Sequence, residues 1–331
     1  MTQQPQSQQP QSQQPPTRGD IEEARDFIAP YLPRTPLVHS LGLSGLLGCS
    51  YHVKCENFQP VGAFKVRGGV NLVGRLGDEA GAGVVSASTG NHGQSLAYAG
   101  RLFSVPVVIF APAENTNPLK LEAMRELGAD VRLYGRDFDE AREQVESVAK
   151  AEGLRYVHSA NEPHLIAGVG TMGLEILEDL AEVEVVVVPV GGGSGACGIA
   201  LAVKHAAPEV RIVGVQSERA PACYRAWKER RLDLECPMET THEGLATRVP
   251  FEMTMQIMWD VLDDLLLVSD EAITTAIQLL ARHARQVAEG AGAAALAGAL
   301  QMKEELAGKR VVGILSGGNL PLERYAAILT G

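Results

Sequence analysis

Apolar and polar residues along this chain fall into two alternating periods, and that alternation is the first structural information it offers. Short runs of aliphatic, β-branched residues are followed by longer segments whose apolar positions recur every three or four residues. The clearest strand is Val183–Val190, within EVEVVVVP. Consecutive β-branched residues suit a strand buried on both faces. Shorter runs predict strands at His52–Cys55, Val84–Ala87, Val105–Phe110, Val131–Tyr134, Arg211–Gln216 and Val311–Leu315. Helices are predicted over Ile21–Leu32, Gly69–Arg75, Asn91–Phe103, Pro118–Leu127, Phe138–Glu152, Cys197–Ala206 and Ala291–Leu306. Gly128 and Gly153 stop two of them. Ile273, Ile277, Leu280, Ala284 and Val287 recur at spacings of four and three, which predicts one face of an amphipathic helix.

Strand–helix alternation of this kind predicts an α/β fold, with two-lobed, open, twisted parallel sheets covered by helices on both faces. No repeat of roughly 20–50 residues is visible. The 331 residues suffice for a large core and suggest a two-lobed unit. In such sheets ligands sit beyond the carboxyl ends of the strands. That rule gives weight to three polar, glycine-bearing turns: Ser88–Gly93, Gly191–Gly198 and Ser316–Asn319. A fourth segment, Glu56–Gly69, carries a lysine among Gly and Phe.

Composition narrows the partners. The chain is 45% apolar and 21% charged, as in ordinary globular proteins, and its formal net charge is −11. That charge argues against nucleic acid and membrane surfaces as partners. An anionic small substrate would have to be captured by local features such as helix N-termini. The five cysteines (Cys49, Cys55, Cys197, Cys223, Cys236) are odd in number, and neither C-x-x-C nor HExxH occurs. A disulfide framework or thiolate zinc site is therefore not expected, and a reducing cytoplasm fits. No apolar run approaches the roughly 18 residues of a membrane span. The first 18 residues, rich in Gln and Pro, read as a disordered tail, with neither the basic start nor the apolar stretch of a secretory signal.

The segment VPVGGGSGACG runs from the clearest strand into a helix. Glycine N–H groups can approach a phosphate closely, and the helix dipole adds positive potential. Gly191, Gly192, Gly193, Ser194 and Gly195 thus form a candidate phosphate cup; three consecutive glycines exceed what a tight turn requires. Two other motifs overlap it. Gly193 to Gly198 matches G-x-G-x-x-G, with Glu218 placed where a ribose-binding acid would sit, so a nicotinamide-dependent oxidoreductase is a rival reading. Gly192 to Ala196 approaches the hydrolase elbow G-x-S-x-G but ends in Ala and has no assignable acid–His partners.

The segment KCENFQPVGAFKVRGGVN, Lys54 to Asn71, resembles the cofactor-lysine motif of the threonine/serine dehydratase family, the fold-type II pyridoxal-phosphate enzymes that include the serine racemases. The resemblance continues through SASTGNHGQSLAYA (Ser86–Ala99), VGGGSGACG (Val190–Gly198) and LSGGN (Leu315–Asn319), in the family's order. It implies a fold like the tryptophan synthase β chain and a pyridoxal 5′-phosphate cofactor. By the same resemblance Lys65 would carry the cofactor as a Schiff base. Phe64 and Gly244 would flank the ring, Asn91 would bond its hydroxyl oxygen, and Ser316 would face its nitrogen. Gly191 to Gly195 would hold the phosphate. Ser88, Thr89, Gly90, Asn91 and His92 would receive the substrate carboxylate. It further implies a large cofactor domain (19–82 and 162–331), a small substrate domain (83–161), and a homodimer or homotetramer acting on a small amino acid.

The chemistry agrees with these roles. A Schiff-base lysine needs a lowered pKa, and an apolar wall such as Val61 and Phe64 supplies desolvation. The ring then accepts electrons after Cα loses its proton. A serine opposite the ring nitrogen cannot hold it protonated as a carboxylate would, and a weaker sink suits β-elimination. The implied reaction turns L-threonine or L-serine into a 2-oxo acid and ammonia, with Lys65 as general base.

The chain departs from the family pattern in several places. Ala63 stands where Ser is common. Thr89 stands where racemases use Ser as a second base, so lyase activity with little racemisation is expected. Gln216, Ala220 and Ala222 replace the racemases' metal-binding positions, two of them carboxylates, so no cation is expected there. The chain continues only about a dozen residues past Asn319, which leaves no room for a regulatory domain and favours a catabolic or specialised lyase. Hydroxyaspartate, hydroxyectoine-derived compounds and diaminopropionate remain alternative substrates, and Arg248 could read a second carboxylate. A non-catalytic amino-acid binder is the third class, against which Lys65 argues.

Overall fold

The computed structural model describes residues 14–113, 117–136 and 138–330. Most of the expected tail lies outside these residues. Its last part is ordered: Thr17 caps the helix Arg18–Ile28, accepting from the Asp20 N–H while Asp20 accepts the Thr17 N–H. Such a reciprocal cap satisfies two otherwise orphaned donors.

The strands, in chain order, are β1 (Leu37–His39), β2 (Ser50–Cys55), β3 (Val84–Ala87), β4 (Val107–Ala111), β5 (Asp130–Leu133), β6 (Arg155–Tyr156), β7 (Val185–Pro189), β8 (Arg211–Ser217), β9 (Asp264–Val268) and β10 (Arg310–Leu315). They form a six-stranded sheet ordered β1-β2-β10-β7-β8-β9 and a four-stranded sheet ordered β5-β4-β3-β6. Every pairing is parallel except β1 on β2, an antiparallel edge that the sequence pattern did not reveal. The fold is therefore the expected α/β class, with one antiparallel edge strand.

The Val-rich strands sit centrally: Val187 of β7 pairs with Val213 of β8 and Gly313 of β10. Both faces of the larger sheet are covered. The helix Gly290–Gln301 packs on one face, within a core including Val185, Val187 and Val215. The helices Pro163–Asp179 and Ser194–Ala206 belong to the core on the other, with Val186, Val188 and Ile212. These helices touch backbone to backbone. A Cβ on Gly198 would lie 2.6 Å from the Ile166 carbonyl oxygen, and one on Gly168 would lie 2.5 Å from that of Arg67.

Two functional helices start earlier than periodicity predicts. The lysine helix runs Lys65–Arg75 rather than from Gly69, and the glycine-loop helix runs Ser194–Ala206 rather than from Cys197. Their first turns bear residues with no apolar spacing. The helix Asp270–Leu279 passes into a π turn that ends in left-handed Arg285, so Val287 leaves the expected face and is exposed.

A buried ionic cluster locks the lysine helix in place. The Arg67 guanidinium donates to Glu56 Oε2 at 2.8 Å and to Glu175 Oε1 at 2.7 Å, and Lys54 Nζ donates to Glu175 Oε2 at 2.6 Å. All four residues are buried. They join the end of β2, the lysine helix and Pro163–Asp179.

Candidate active site

A cavity of about 490 Å³ opens between the two sheets, beyond the carboxyl ends of β3, β7 and β10. It is lined by every residue singled out from the sequence as a site residue: Phe64, Lys65, Ser88, Thr89, Gly90, Asn91, His92, Gly191, Gly192, Gly193, Ser194, Gly195, Gly244 and Ser316. Arg248 lines it as well, whereas Glu218 is exposed on the turn after β8 and does not.

Lys65 reaches the cavity because its segment is stitched to the turn after β10. Ala63 bridges Gly317, the Phe64 N–H donates to the Ser316 carbonyl, and the Gly318 N–H donates to that of Gly62. The Ser95 hydroxyl also holds the Lys65 carbonyl at 2.8 Å. The Lys65 amine donates to Ser194 Oγ at 2.7 Å and to the Ser159 carbonyl at 3.1 Å. It therefore points at the glycine turn. Burial pushes its pKa down to about 8. At pH 7 about one amine in ten is then neutral, against roughly one in three thousand for an ordinary lysine. The neutral amine is the form that attacks an aldehyde. Reconstitution of cofactor-free enzyme with pyridoxal phosphate should therefore speed up from pH 6 to about 8 and then level. A rate still climbing toward pH 10 would contradict this.

The glycine loop is a built cradle. Gly193 has φ of +92°, which turns the chain into the helix Ser194–Ala206. No hydrogen bond among the described residues takes the N–H groups from Gly192 to Ala196. Five donors at a helix N-terminus with no protein partner suit a phosphate. A Cβ on Gly191 would come within 2.3 Å of the Gly244 carbonyl oxygen, and one on Gly195 within 3.0 Å of the Phe64 ring. Glycine here admits neighbours as well as ligand.

The asparagine loop leaves β3 and enters the helix Asn91–Phe103. Ser88 has a task that its motif did not disclose. Its Oγ accepts the Gly90 N–H at 3.1 Å and the Gly93 N–H at 2.8 Å, so it braces the turn itself. The N–H groups of Thr89, Asn91 and His92 remain for an anion. The Asn91 carboxamide is held from both sides: its Nδ2 donates to Glu289, and its Oδ1 accepts from Asn319 Nδ2 at 2.9 Å. One Asn91 N–H is left for a ligand. His92 donates from Nε2 to Ser86 Oγ at 3.0 Å, since the Ser86 proton goes to the Val157 carbonyl. Burial, with Lys65 and His158 adding to it, keeps the imidazole well below its usual pKa and neutral.

Among the lining residues that sequence reasoning missed is an ionic group of three. Lys120, from the helix Pro118–Glu126, pairs with Glu243 at 2.8 Å and Glu289 at 3.6 Å. Burial lifts the Glu289 pKa even though Lys120 and Asn91 oppose it. Burial lowers that of Lys120, but the two glutamates outweigh it and the net shift is upward. Lys120 and Glu289 sit in no motif and Glu243 directly precedes Gly244; only the tertiary fold brings the three together. Buried Gln216, where no cation is expected, accepts the Tyr224 N–H through Oε1 at 2.9 Å.

The residues present fit a phosphorylated aldehyde. A lysine of lowered pKa, a row of free N–H donors, a fixed carboxamide and the Ser316 hydroxyl converge on one cavity. Fold and cavity together define an α/β enzyme whose lysine faces a helix start with unused N–H donors. Residues 28–317 match the family described as pyridoxal-phosphate dependent enzyme. The chain is 40% identical over 315 residues to the L-threonine ammonia-lyase of Thermotoga maritima, covering 95% of this chain and 78% of that one. It is 39% identical over 317 residues to a catabolic L-threonine dehydratase of Staphylococcus aureus, covering 94% and 91%. Among solved structures it resembles the processed form of threonine deaminase isoform 2 from Solanum lycopersicum (TM-score 0.87, 31% identity, 97% of each chain covered). It also resembles maize serine racemase (TM-score 0.88, 30% identity, 94% and 96% covered). The chain belongs to the pyridoxal-phosphate-dependent enzyme family, and its cofactor is pyridoxal 5′-phosphate. The nicotinamide reading of the Gly193 motif is thereby displaced.

Proposed function

We propose that this enzyme is an ammonia-lyase that converts L-threonine, L-serine or both into a 2-oxo acid and ammonia by β-elimination. The observation that carries the reading is the Lys65 amine, 2.7 Å from Ser194 at the mouth of the glycine cradle. The relatives named as threonine ammonia-lyases and dehydratases support the substrate class. We assign residues 83–161 to a small substrate domain and the rest, from 19, to the cofactor domain. The free thiols are consistent with a cytoplasmic enzyme, which we take to be a homodimer or homotetramer. No helix among the described residues is long and apolar enough to cross a membrane.

The bound cofactor supplies an electron sink for the Cα carbanion. The protein does the rest. Gly191 to Gly195 hold the phosphate, Phe64 and Gly244 flank the ring, and Asn91 donates to the ring oxygen. Ser316 would face the ring nitrogen with a hydroxyl, a weaker partner than a carboxylate, which would suit loss of the β-substituent. Ser88 braces the turn whose N–H groups, at Thr89, Asn91 and His92, take the substrate carboxylate. Lys65 would remove the Cα proton; near pH 8 a fair fraction of its amine is free base. The Thr89 hydroxyl lines the same cavity, its added methyl setting it apart from a racemase serine.

A substrate panel tests the proposal. L-threonine or L-serine should release 2-oxo acid and ammonia fastest, with little D-serine accumulating from L-serine. Preference for hydroxyaspartate, a hydroxyectoine-derived compound or diaminopropionate would overturn the substrate assignment, with Arg248 then the first residue to examine.

A further inference from the structure

Lys120 brings a buried charge to the edge of the asparagine loop. It belongs to the helix Pro118–Glu126, beside the smaller sheet, yet its side chain crosses the asparagine loop. An added Cβ on Gly90 would stand 2.7 Å from its Cδ and 3.2 Å from its Nζ. Gly90 has φ of −176°, outside the left-handed region, and the lysine's path leaves no room for a Cβ there. The ammonium ends against Glu243 and Glu289, both on the other side of the cavity. Lys120 and Glu289 are buried, whereas the Glu243 side chain is 38% exposed, at the rim. One cation thus serves two carboxyl groups, Glu289 buried and Glu243 at the rim, beside a loop that must accept an anion.

A substrate carboxylate entering that loop would meet three N–H groups and, beside them, an ammonium already held by the rim carboxylate of Glu243. The arrangement is consistent only if the ammonium can change partners. Glu243, the more exposed carboxylate, is the one that can return to water at little cost.

We propose that Lys120 is a specificity-determining residue for the amino-acid carboxylate: its ammonium passes from Glu243 to the substrate's carboxylate when substrate occupies the asparagine loop. The proposal rests on the assignment of that loop as the carboxylate site. Glu289 stays on Lys120 throughout and keeps it aimed across Gly90. A ligand lacking a carboxylate gains nothing from Lys120, which makes the residue a selector for amino acids over amines.

The test uses holoenzyme and two probes, L-2-aminobutyrate and 1-aminopropane, with binding read from the change in the cofactor's visible band. Lys120→Gln should weaken L-2-aminobutyrate by about tenfold and leave 1-aminopropane unchanged, because one charge-assisted contact is lost. Glu243→Gln should act in the opposite sense and tighten L-2-aminobutyrate by about threefold, since a competitor for the ammonium is gone. If Lys120 were only a latch between the two sides of the cavity, both substitutions would weaken binding alike, and the proposal would be overturned. Ser88→Ala, which releases the braced turn, tests the loop separately. Weakening in Ser88→Ala with no change in Lys120→Gln overturns the role of Lys120 and leaves the loop in place. No change in either overturns the loop assignment, and the proposal with it.

Discussion

Substituting Lys65 with alanine should lower elimination turnover by at least about four orders of magnitude, because covalent attachment and the Cα base are lost together. The fold should tolerate the change. Among the described residues the Lys65 amine makes two hydrogen bonds, to Ser194 Oγ and the Ser159 carbonyl, and anchors no core contact. The glycine cradle is untouched, so pyridoxal phosphate should still bind, but borohydride should no longer fix it to the chain. Turnover within tenfold of the parent, or undiminished borohydride trapping, would remove Lys65 from the centre of the reaction.

The second large effect is on stability. Arg67→Met leaves Glu56 and Glu175 buried with Lys54 as the remaining buried cation beside them, and breaking a buried pair in this way costs about 3–5 kcal/mol. Denaturant unfolding of the cofactor-free protein would measure it. Arg132→Met is the control. Its ion pairs with Asp130 and Glu152 are largely exposed, so the loss there should stay below about 1 kcal/mol. The deficit should also depend on pH. Burial raises the Glu175 pKa, but Arg67 and Lys54 outweigh it and the net shift is downward. A depressed carboxylate contributes stability above its unfolded pKa, which is lost as pH falls through the folded value. Removing Arg67 raises the folded value, so the gap between variant and parent should narrow as pH falls through the carboxylate range. Equal losses for the two arginine variants would show that the buried cluster is dispensable.

Much of the site was legible because cofactor chemistry constrains short segments: the lysine, the glycine cradle, the asparagine turn and Ser316 each lie in a recognisable local pattern. The scaffold was less legible where burial is complete. The helix Pro163–Asp179 escaped notice because it is buried almost all round from Leu165 to Ile176 and so shows no amphipathic period. Its glycines read as breakers, yet they serve close packing. The edge strand β1 spans only three residues and β9 only five, and the antiparallel pairing of β1 follows from a connection that sequence spacing does not encode. Lys120, Glu243 and Glu289 were invisible for a different reason. A charged residue far from any motif looks like solvated surface until the fold sets it beside its partners. The task of Ser88 likewise depends on loop geometry, since only coordinates show that its oxygen points back at Gly90 and Gly93.

The backbone contacts at Gly168 and Gly198 bear on how this catalyst can change over time. The helix carrying the reactive amine and the helix carrying the phosphate cradle both lean on Pro163–Asp179 with no side chain between them at those points. The spacing between the Lys65 helix and the glycine-loop helix is therefore gauged by main-chain thickness, a dimension that substitution cannot trim. Drift in the surrounding core can alter stability while that gauge holds. A single methyl inserted at Gly168 or Gly198 would spread the two halves of the reaction apart, even though neither glycine touches substrate.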